Sequence, residues 1–280
     1  MDALVGPIVK WAGGKRQLLP EILPLIDRDC TTYVEPFLGG GAVLFQLQPE
    51  KAIINDYNGE LMNVYRVVRD CPEALIQRLE EHRAASCADY FYQIRAMDRE
   101  ADYARMSPVE RAARVIYLNK TCYNGLYRVN GAGQFNAPYG RYKSPRIVNA
   151  PVIRAMSRYL GKKGIKMMQG DYREALKGLR RGAFVYLDPP YMPLSSSASF
   201  TGYTDSGFDY DQQVALKREC DKLRARNIPF LQSNSDCPAI RDLYQDYEIR
   251  TVRAKRTINS DKAKRGEINE VLIRYVPDKG

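Results

Sequence analysis

The chain has 280 residues, 45% of them hydrophobic and 27% charged, which excludes a disordered chain and leaves material for one large domain or two modest ones. Its 43 Lys and Arg outnumber 33 Asp and Glu by ten, and the excess is local: residues 111–170 hold 12 cations and no acid, leaving 31 basic against 33 acidic residues elsewhere. Such a block suits a polyanion, nucleic acid above all, with a solvated helical face as the plain alternative.

No apolar run reaches the roughly 18 residues of a membrane span. The opening residues MDALVGPIVKWAGGK lack the basic-then-apolar layout of a secretory leader. Six cysteines, at 30, 71, 87, 122, 220 and 237, form no C-x-x-C pair. Neither a zinc site nor a disulfide framework is expected, and a reduced, cytoplasmic setting fits. The single histidine, His82, lies in a charged run (EEHRAA) and reads as a surface residue. Histidine catalysis and multi-histidine metal sites are therefore not expected.

In chain order, residues 31–37 (TTYVEPF) predict a strand, followed by three glycines and a stretch (AVLFQL) that opens a helix. Residues 51–56 (KAIIND) predict a second strand, and Leu61, Val64, Tyr65 and Val68 share one helical face. Strands alternating with helices argue for an α/β chain with a parallel sheet. Residues 59–118 are mostly helical in composition, and 119–146, rich in Gly, Asn, Tyr and Pro, predict loops or a hairpin; together they read as an insertion. The α/β pattern resumes at 183–187 (AFVYL), an apolar run bounded by Gly182 and by Pro189 and Pro190. Residues 211–226 predict a helix with Leu216, Cys220 and Leu223 on one face, and 228–231 a further strand. Residues 247–252 and 268–275 predict two strands joined by a basic loop.

Two motifs carry chemistry. In Glu35-Pro36-Phe37-Leu38-Gly39-Gly40-Gly41 a strand ends in closely spaced glycines and runs into a helix, which lets a ligand approach the backbone. Asp56 closes the next strand 15 positions after Gly41, where a carboxylate can accept hydrogen bonds from ribose hydroxyls. That spacing is shorter than the ~20 residues of the dinucleotide fingerprint, and G-x-G-x-x-G is absent. A nucleoside cofactor without a pyrophosphate fits better; a tight turn with no ligand is the competing reading. The second motif is Asp188-Pro189-Pro190-Tyr191, directly after a buried strand and so at its carboxyl end. Its prolines remove two donors and stiffen the turn. What remains is the Asp188 carboxylate, the Pro189 carbonyl and an aromatic face: two acceptors and a stacking surface for an amino group on a planar base. A rigid strand-to-loop turn is the alternative.

The combination resembles the Dam-type DNA adenine-N6 methyltransferases, the D12 class, in their α-group. The resemblance covers nearly the whole chain. It runs through Lys10-Trp11-Ala12-Gly13-Gly14-Lys15, the glycine motif, Asn55-Asp56, Tyr123-Asn124-Gly125-Leu126 with Arg128, the stretch 135–143 (FNAPYGRYK) and Asp188-Pro189-Pro190-Tyr191. It implies a Rossmann-like class I methyltransferase fold with a mixed, mostly parallel sheet and a small helical target-recognition insertion. The catalytic domain would comprise 1–58 and 147–280, the recognition domain 59–146. It also implies S-adenosylmethionine as cofactor, S-adenosylhomocysteine as product, no metal, double-stranded DNA as partner, no membrane and no obligate protein partner.

By the same resemblance Asp188, Pro189, Pro190 and Tyr191 are catalytic. Cofactor contacts fall to Trp11, Lys15, Glu35, Phe37, Gly39, Gly41, Asp56, Asp171 and Asp188. Trp11 would offer its ring to a sulfonium, with a core tryptophan as the alternative, and Lys15 would meet the cofactor carboxylate. DNA contacts fall to Lys10, Tyr123, Asn124, Leu126, Arg128, Pro138 and Arg141. Tyr123 would fill the space left by a flipped base, Leu126 and Pro138 would touch thymine methyls, and Arg128 and Lys10 would read guanines. Phosphate contact is the alternative for each cation. The implied target is adenine N6 in GATC; relatives with longer sites such as GATATC, cytosine-N4 methylation on the same fold, and a non-catalytic DNA-binding module are the rival readings. Residues 195–204 (SSSASFTGYT) are expected to order around DNA or the flipped base. Residues 250–265, with seven cations and one acid, are expected to hold phosphate.

Overall fold

The computed structural model describes residues 1–193, 208–255 and 267–277. The expected ordering loop at 195–204 and residues 256–265 of the basic stretch lie outside them. The first half of the chain runs α1 (Leu19–Ile22), β1 (Thr32–Glu35), α2 (Ala42–Leu47), β2 (Ala52–Ile54), α3 (Gly59–Asp70), α4 (Pro72–Ala85), α5 (Ala88–Ala96) and α6 (Pro108–Thr121). The second half runs α7 (Ala150–Leu160), β3 (Ile165–Met167), α8 (Tyr172–Leu176), β4 (Ala183–Leu187), α9 (Tyr210–Ala225), β5 (Phe230–Ser235), α10 (Pro238–Leu243), β6 (Glu248–Lys255) and β7 (Glu267–Tyr275). The chain packs as two compact units: 1–14, 39–48 and 56–170 in one, and 15–38, 49–55 and 171–280 in the other.

In the sheet-bearing unit six strands follow the order β2-β1-β4-β5-β7-β6. The first four are parallel, and β7 runs antiparallel to both β5 and β6. This is the mixed, mostly parallel α/β sheet the sequence led us to expect. All five residues of β4 are buried, because a central parallel strand is covered on both faces and so reads as an unbroken apolar run. β1 stops before Pro36, which has no N–H for the ladder. The Pro36 carbonyl is met instead by Asn55 Nδ2 at 3.0 Å.

β5 departs from expectation. It begins at Phe230 rather than at 228 and continues through the polar run to Ser235. Asn227 holds φ +53° in the turn before it, and Pro229 removes a donor, so pairing starts later. The polar run is not a loop, because each of its side chains finds an internal partner, among them Asn234 Nδ2 with Gln213 Oε1 at 3.0 Å.

The helical unit packs α3 against α4, α6 and α7, with Leu61, Val64, Tyr65 and Val68 fully buried as their spacing predicts. Asn58 caps α3 by accepting the Leu61 N–H at 2.9 Å. A capping box of Ser107 and Glu110, with Pro108 in the first turn, starts α6. Between Cys122 and Tyr139 the chain doubles back on itself, with bridges Cys122↔Tyr139 and Val129↔Phe135. β3 also belongs to this unit.

Two expectations are corrected here. His82 is not a surface residue: it is 1% exposed, its Nδ1 lies 2.8 Å from the Tyr90 hydroxyl, and its ring stacks on Tyr117. It falls on the α4 face that packs on α6, and its charged neighbours in the chain point elsewhere. Nor does the acid-free stretch act as one basic block. Arg111 pairs with Glu60, Arg114 with Asp98, Arg154 with Glu73 and Arg158 with Asp2. The balancing acids lie outside the window in sequence but beside it in space. No helix among the described residues is long and apolar enough to cross a membrane.

Candidate active site

Asp188 stands at the carboxyl end of β4, the place where open parallel sheets take ligands. Its carboxylate is anchored on one side only. Lys15 Nζ lies 2.7 Å from Oδ1, and the Ser233 hydroxyl donates to the same Oδ1 at 2.8 Å. Lys15 is 5% and Asp188 19% exposed, so the lysine end of this ion pair is buried, and removing Asp188 would strand its charge. Among the described residues no hydrogen bond reaches Oδ2. The carbonyl of Pro189 likewise accepts none among them, whereas that of Pro190 accepts from Gln213 Nε2 at 2.9 Å. Asp188 and Pro189 thus offer two neighbouring acceptors with unused capacity on a stiffened turn.

Tyr191 is fixed at both ends. Its hydroxyl donates to Glu270 Oε2 at 2.7 Å, and Lys15 Nζ sits 4.6 Å from the ring centroid. Burial, with the Asp188 and Glu270 carboxylates nearby, pushes the Tyr191 hydroxyl well above its usual range, so it stays a neutral donor. The motif reading did not reveal Ser233 or Glu270. Both stand at the same end of the sheet, since Glu270 on β7 is in register with Ser235 on β5. The signal for Ser233 was the polar run ending β5.

The remaining expected cofactor residues of this unit have local duties. Glu35 is buried and accepts the Tyr33 hydroxyl at 2.8 Å. Phe37 stacks on Tyr172 at 5.0 Å and meets the edge of Phe208. Asp171 caps α8, accepting the Arg173 N–H at 2.8 Å, and pairs with the Arg173 guanidinium. The Lys15 ammonium, expected at a cofactor carboxylate, is engaged by Asp188.

In the helical unit the glycine turn is held by Asp56. Its Oδ2 accepts the Gly39 N–H at 2.8 Å, and its Oδ1 accepts the Asn58 N–H at 2.9 Å. Gly41 adopts φ +67° at the start of α2, and a Cβ there would lie 2.5 Å from the Phe45 ring. Trp11 covers Gly39, whose own Cβ would lie 3.3 Å from the indole. Tyr57, next to Asp56, leaves its ring 84% exposed and was not singled out from the sequence. A fixed carboxylate beside a bare aromatic face suits a nucleoside: acceptors for ribose hydroxyls and a surface for the base.

The expected DNA contacts cluster in the same unit. Tyr123 is 56% exposed. Asn124 holds φ +59° and its carbonyl accepts Lys10 Nζ at 2.7 Å. Arg128 is held by Asn136 through Nε at 2.6 Å and through the second nitrogen to the backbone at 3.1 Å. The Tyr123 N–H donates to the Pro138 carbonyl at 2.8 Å. Leu126 is half-buried, and Arg141 is exposed with φ +51°.

Comparison with known proteins then decides the family. The model of D12 class N6 adenine-specific DNA methyltransferases matches residues 11–258. The chain belongs to the D12 class of N6 adenine-specific DNA methyltransferases. A Type II methyltransferase of Lactococcus lactis subsp. cremoris is 46% identical over 95% of this chain and 94% of its own length. A Type II methyltransferase of Methanocaldococcus jannaschii is 41% identical over 97% and 99%. The DNA adenine methylase of Escherichia coli strain K12 is 34% identical over 96% and 95%. This D12 methyltransferase is therefore a DNA-modifying enzyme acting on adenine N6, and the cytosine-N4 and non-catalytic readings fall away.

Proposed function

We propose that this enzyme transfers a methyl group from S-adenosylmethionine to N6 of an adenine flipped out of duplex DNA, within GATC. One observation carries the chemistry: among the described residues Asp188 is held through Oδ1, which leaves Oδ2 and the Pro189 carbonyl for the two hydrogens of an exocyclic amine. Adenine N6 is a poor nucleophile because its lone pair is delocalised into the ring. Accepting both hydrogens favours a pyramidal nitrogen with a localised pair. The two hydrogen bonds strengthen as positive charge builds on that nitrogen, which is stabilisation specific to the transition state. Asp188 and Pro189 reach this arrangement before substrate binds, so little reorganisation is needed. Tyr191, pinned by Glu270, offers its ring to the flipped base. S-adenosylmethionine, when bound, would supply the methyl group from its sulfonium; the S–C bond breaks as the N–C bond forms, S-adenosylhomocysteine leaves, and N6 gives up one proton. Asp56 takes ribose hydroxyls, Tyr57 offers a face to the cofactor base, and Trp11 lies over the glycine turn.

N6 lies inside the duplex, so extrusion of the base is required, at a few kcal/mol of unstacking. Residues 59–146 carry the recognition work, with Tyr123 entering the stack. Arg128 and Lys10 read guanines, Leu126 and Pro138 read thymine methyls, and Asn124 and Arg141 hold the duplex. The GATC assignment draws support from the match of these reader positions and from relatives that are DNA adenine methylases. The test is transfer of labelled methyl to duplexes that differ by one base around GATC. Preference for GATC by a large factor is expected; equal transfer to all duplexes removes the site assignment, and no use of S-adenosylmethionine removes the cofactor assignment.

A further inference from the structure

Tyr127 has no role in the reading above, yet it packs on Trp11 and stands between two of the reader positions. Its ring stacks on Trp11, with centroids 4.6 Å apart and planes inclined by 21°. The edge of Phe135 meets the same ring at 5.6 Å. Its hydroxyl is pushed up to about 12, chiefly by burial. Phe135 is fastened to the helical platform, its N–H donating to Asp98 at 2.7 Å and its carbonyl accepting from Arg99 at 2.8 Å. In the chain Tyr127 stands between Leu126 and Arg128.

A second clamp joins the same two segments. Buried Asn119 accepts the Lys10 N–H at 2.8 Å and donates to the Lys10 carbonyl at 2.8 Å and the Gly125 carbonyl at 3.0 Å. At Gly125, with φ +64°, a Cβ would come within 3.3 Å of the Lys10 side chain, so the turn fits tightly against Lys10. Lys10 and Trp11 are therefore bound to the turn at 123–128 through backbone and ring together.

We propose that Tyr127 is a positioning residue that couples cofactor binding to DNA reading, so that each ligand raises the affinity for the other. The inference rests on the reading in the preceding subsection. Its physical basis is that the Trp11 ring and the Leu126–Arg128 backbone share one stack. A ligand that fixes the indole over the glycine turn also fixes the residues that meet base edges. The second ligand then orders less of the protein on binding. Linkage of this kind is reciprocal by thermodynamic necessity.

Trp11 is the only tryptophan, so intrinsic tryptophan fluorescence reports this stack alone. The experiment measures the Kd of a GATC duplex with and without saturating S-adenosylhomocysteine, and the Kd of S-adenosylhomocysteine with and without duplex. In the wild type both Kd values should fall by one common factor, about fivefold or more. In Tyr127→Leu that factor should drop to near one while each separate affinity survives. A merely structural tyrosine would weaken both affinities and leave their coupling intact. Should Tyr127→Leu fail to fold, Tyr127→Met fills the space without a ring to stack on Trp11, and its coupling factor should fall at least twofold. A wild-type factor of one, or a variant that retains the wild-type factor, overturns the proposal. Absence of S-adenosylhomocysteine binding to the wild type instead sinks the cofactor assignment itself.

Discussion

Around Asp188 the polar groups are paired in advance: Lys15 and Ser233 hold one carboxylate oxygen, Glu270 holds Tyr191, and Gln213 holds Pro190. The turn and bridge region from Cys122 to Tyr139 is built the other way. Tyr123 and Arg128 are exposed, and among the described residues Arg128 is tethered by Asn136, a neighbour in the same loop. The contrast teaches what each task requires. Chemistry gains from groups that are fixed before the reaction, since reorganising them would raise the barrier. Reading bases needs side chains that stand in water until a groove displaces it, and they can rest only on light, local support. Beneath the exposed loop the platform is dry again, with buried Arg114 tied to Asp98 and to the carbonyls ending α5.

The contrast breaks if the two regions can be swapped in function, and the largest effect should come from Asp188→Ala. Single-turnover methylation should fall about 100- to 1000-fold or further, with duplex binding retained. Because the substitution strands Lys15, Asp188→Asn serves as a companion that keeps an acceptor oxygen. Normal turnover in both variants would remove Asp188 from the chemistry. Next, Arg128→Ala should do the reverse. Discrimination at one guanine should relax by about 1–3 kcal/mol, measured by competition between GATC and single-base variants, with the rate on bound duplex little changed. A uniform loss on all sequences would instead make Arg128 a phosphate contact.

The dry platform makes a prediction in pH. Burial lowers the His82 pKa to about 4, below its ordinary 6.5. The unfolded chain therefore takes up a proton as pH falls through 6.5, while the folded chain resists until about 4. Stability that is fully present above 6.5 should drain away over that window, by about 2 kcal/mol between pH 7 and 5 in urea unfolding. His82→Phe should flatten the slope; an unchanged slope would assign the loss to other groups. The smallest effect belongs to Ser233→Ala. Lys15 still holds Asp188 Oδ1, so kcat should drop roughly tenfold with KM for DNA almost unmoved. An increase in KM alone would give Ser233 a binding role.

Much of the fold was legible because its signals are local. The burial of β4, the α3 face at Leu61, Val64, Tyr65 and Val68, and the pairing of β6 with β7 follow from apolar period and turn residues. The late start and polar end of β5 were not legible. Polar residues belong in a buried strand only where partners wait for them, and Gln213 and Met192 come from other segments of the chain. The same holds for the site. Asp188 and Asp56 could be picked out from flanking prolines and glycines. Ser233, Glu270, Asn119 and Tyr127 could not, since each acts through a neighbour that is distant in sequence.

By itself, then, the sequence determined the α/β class and the family, because these depend on short-range pattern and motif order. Only the tertiary structure decided which oxygen of Asp188 is held by Lys15 and Ser233, that His82 is buried, and that Tyr127 stacks on Trp11. It also gave acidic partners to cations of the acid-free stretch, among them Arg111, Arg114, Arg154 and Arg158. Charge counts along a chain carry no distances, and an ion pair is decided by distance.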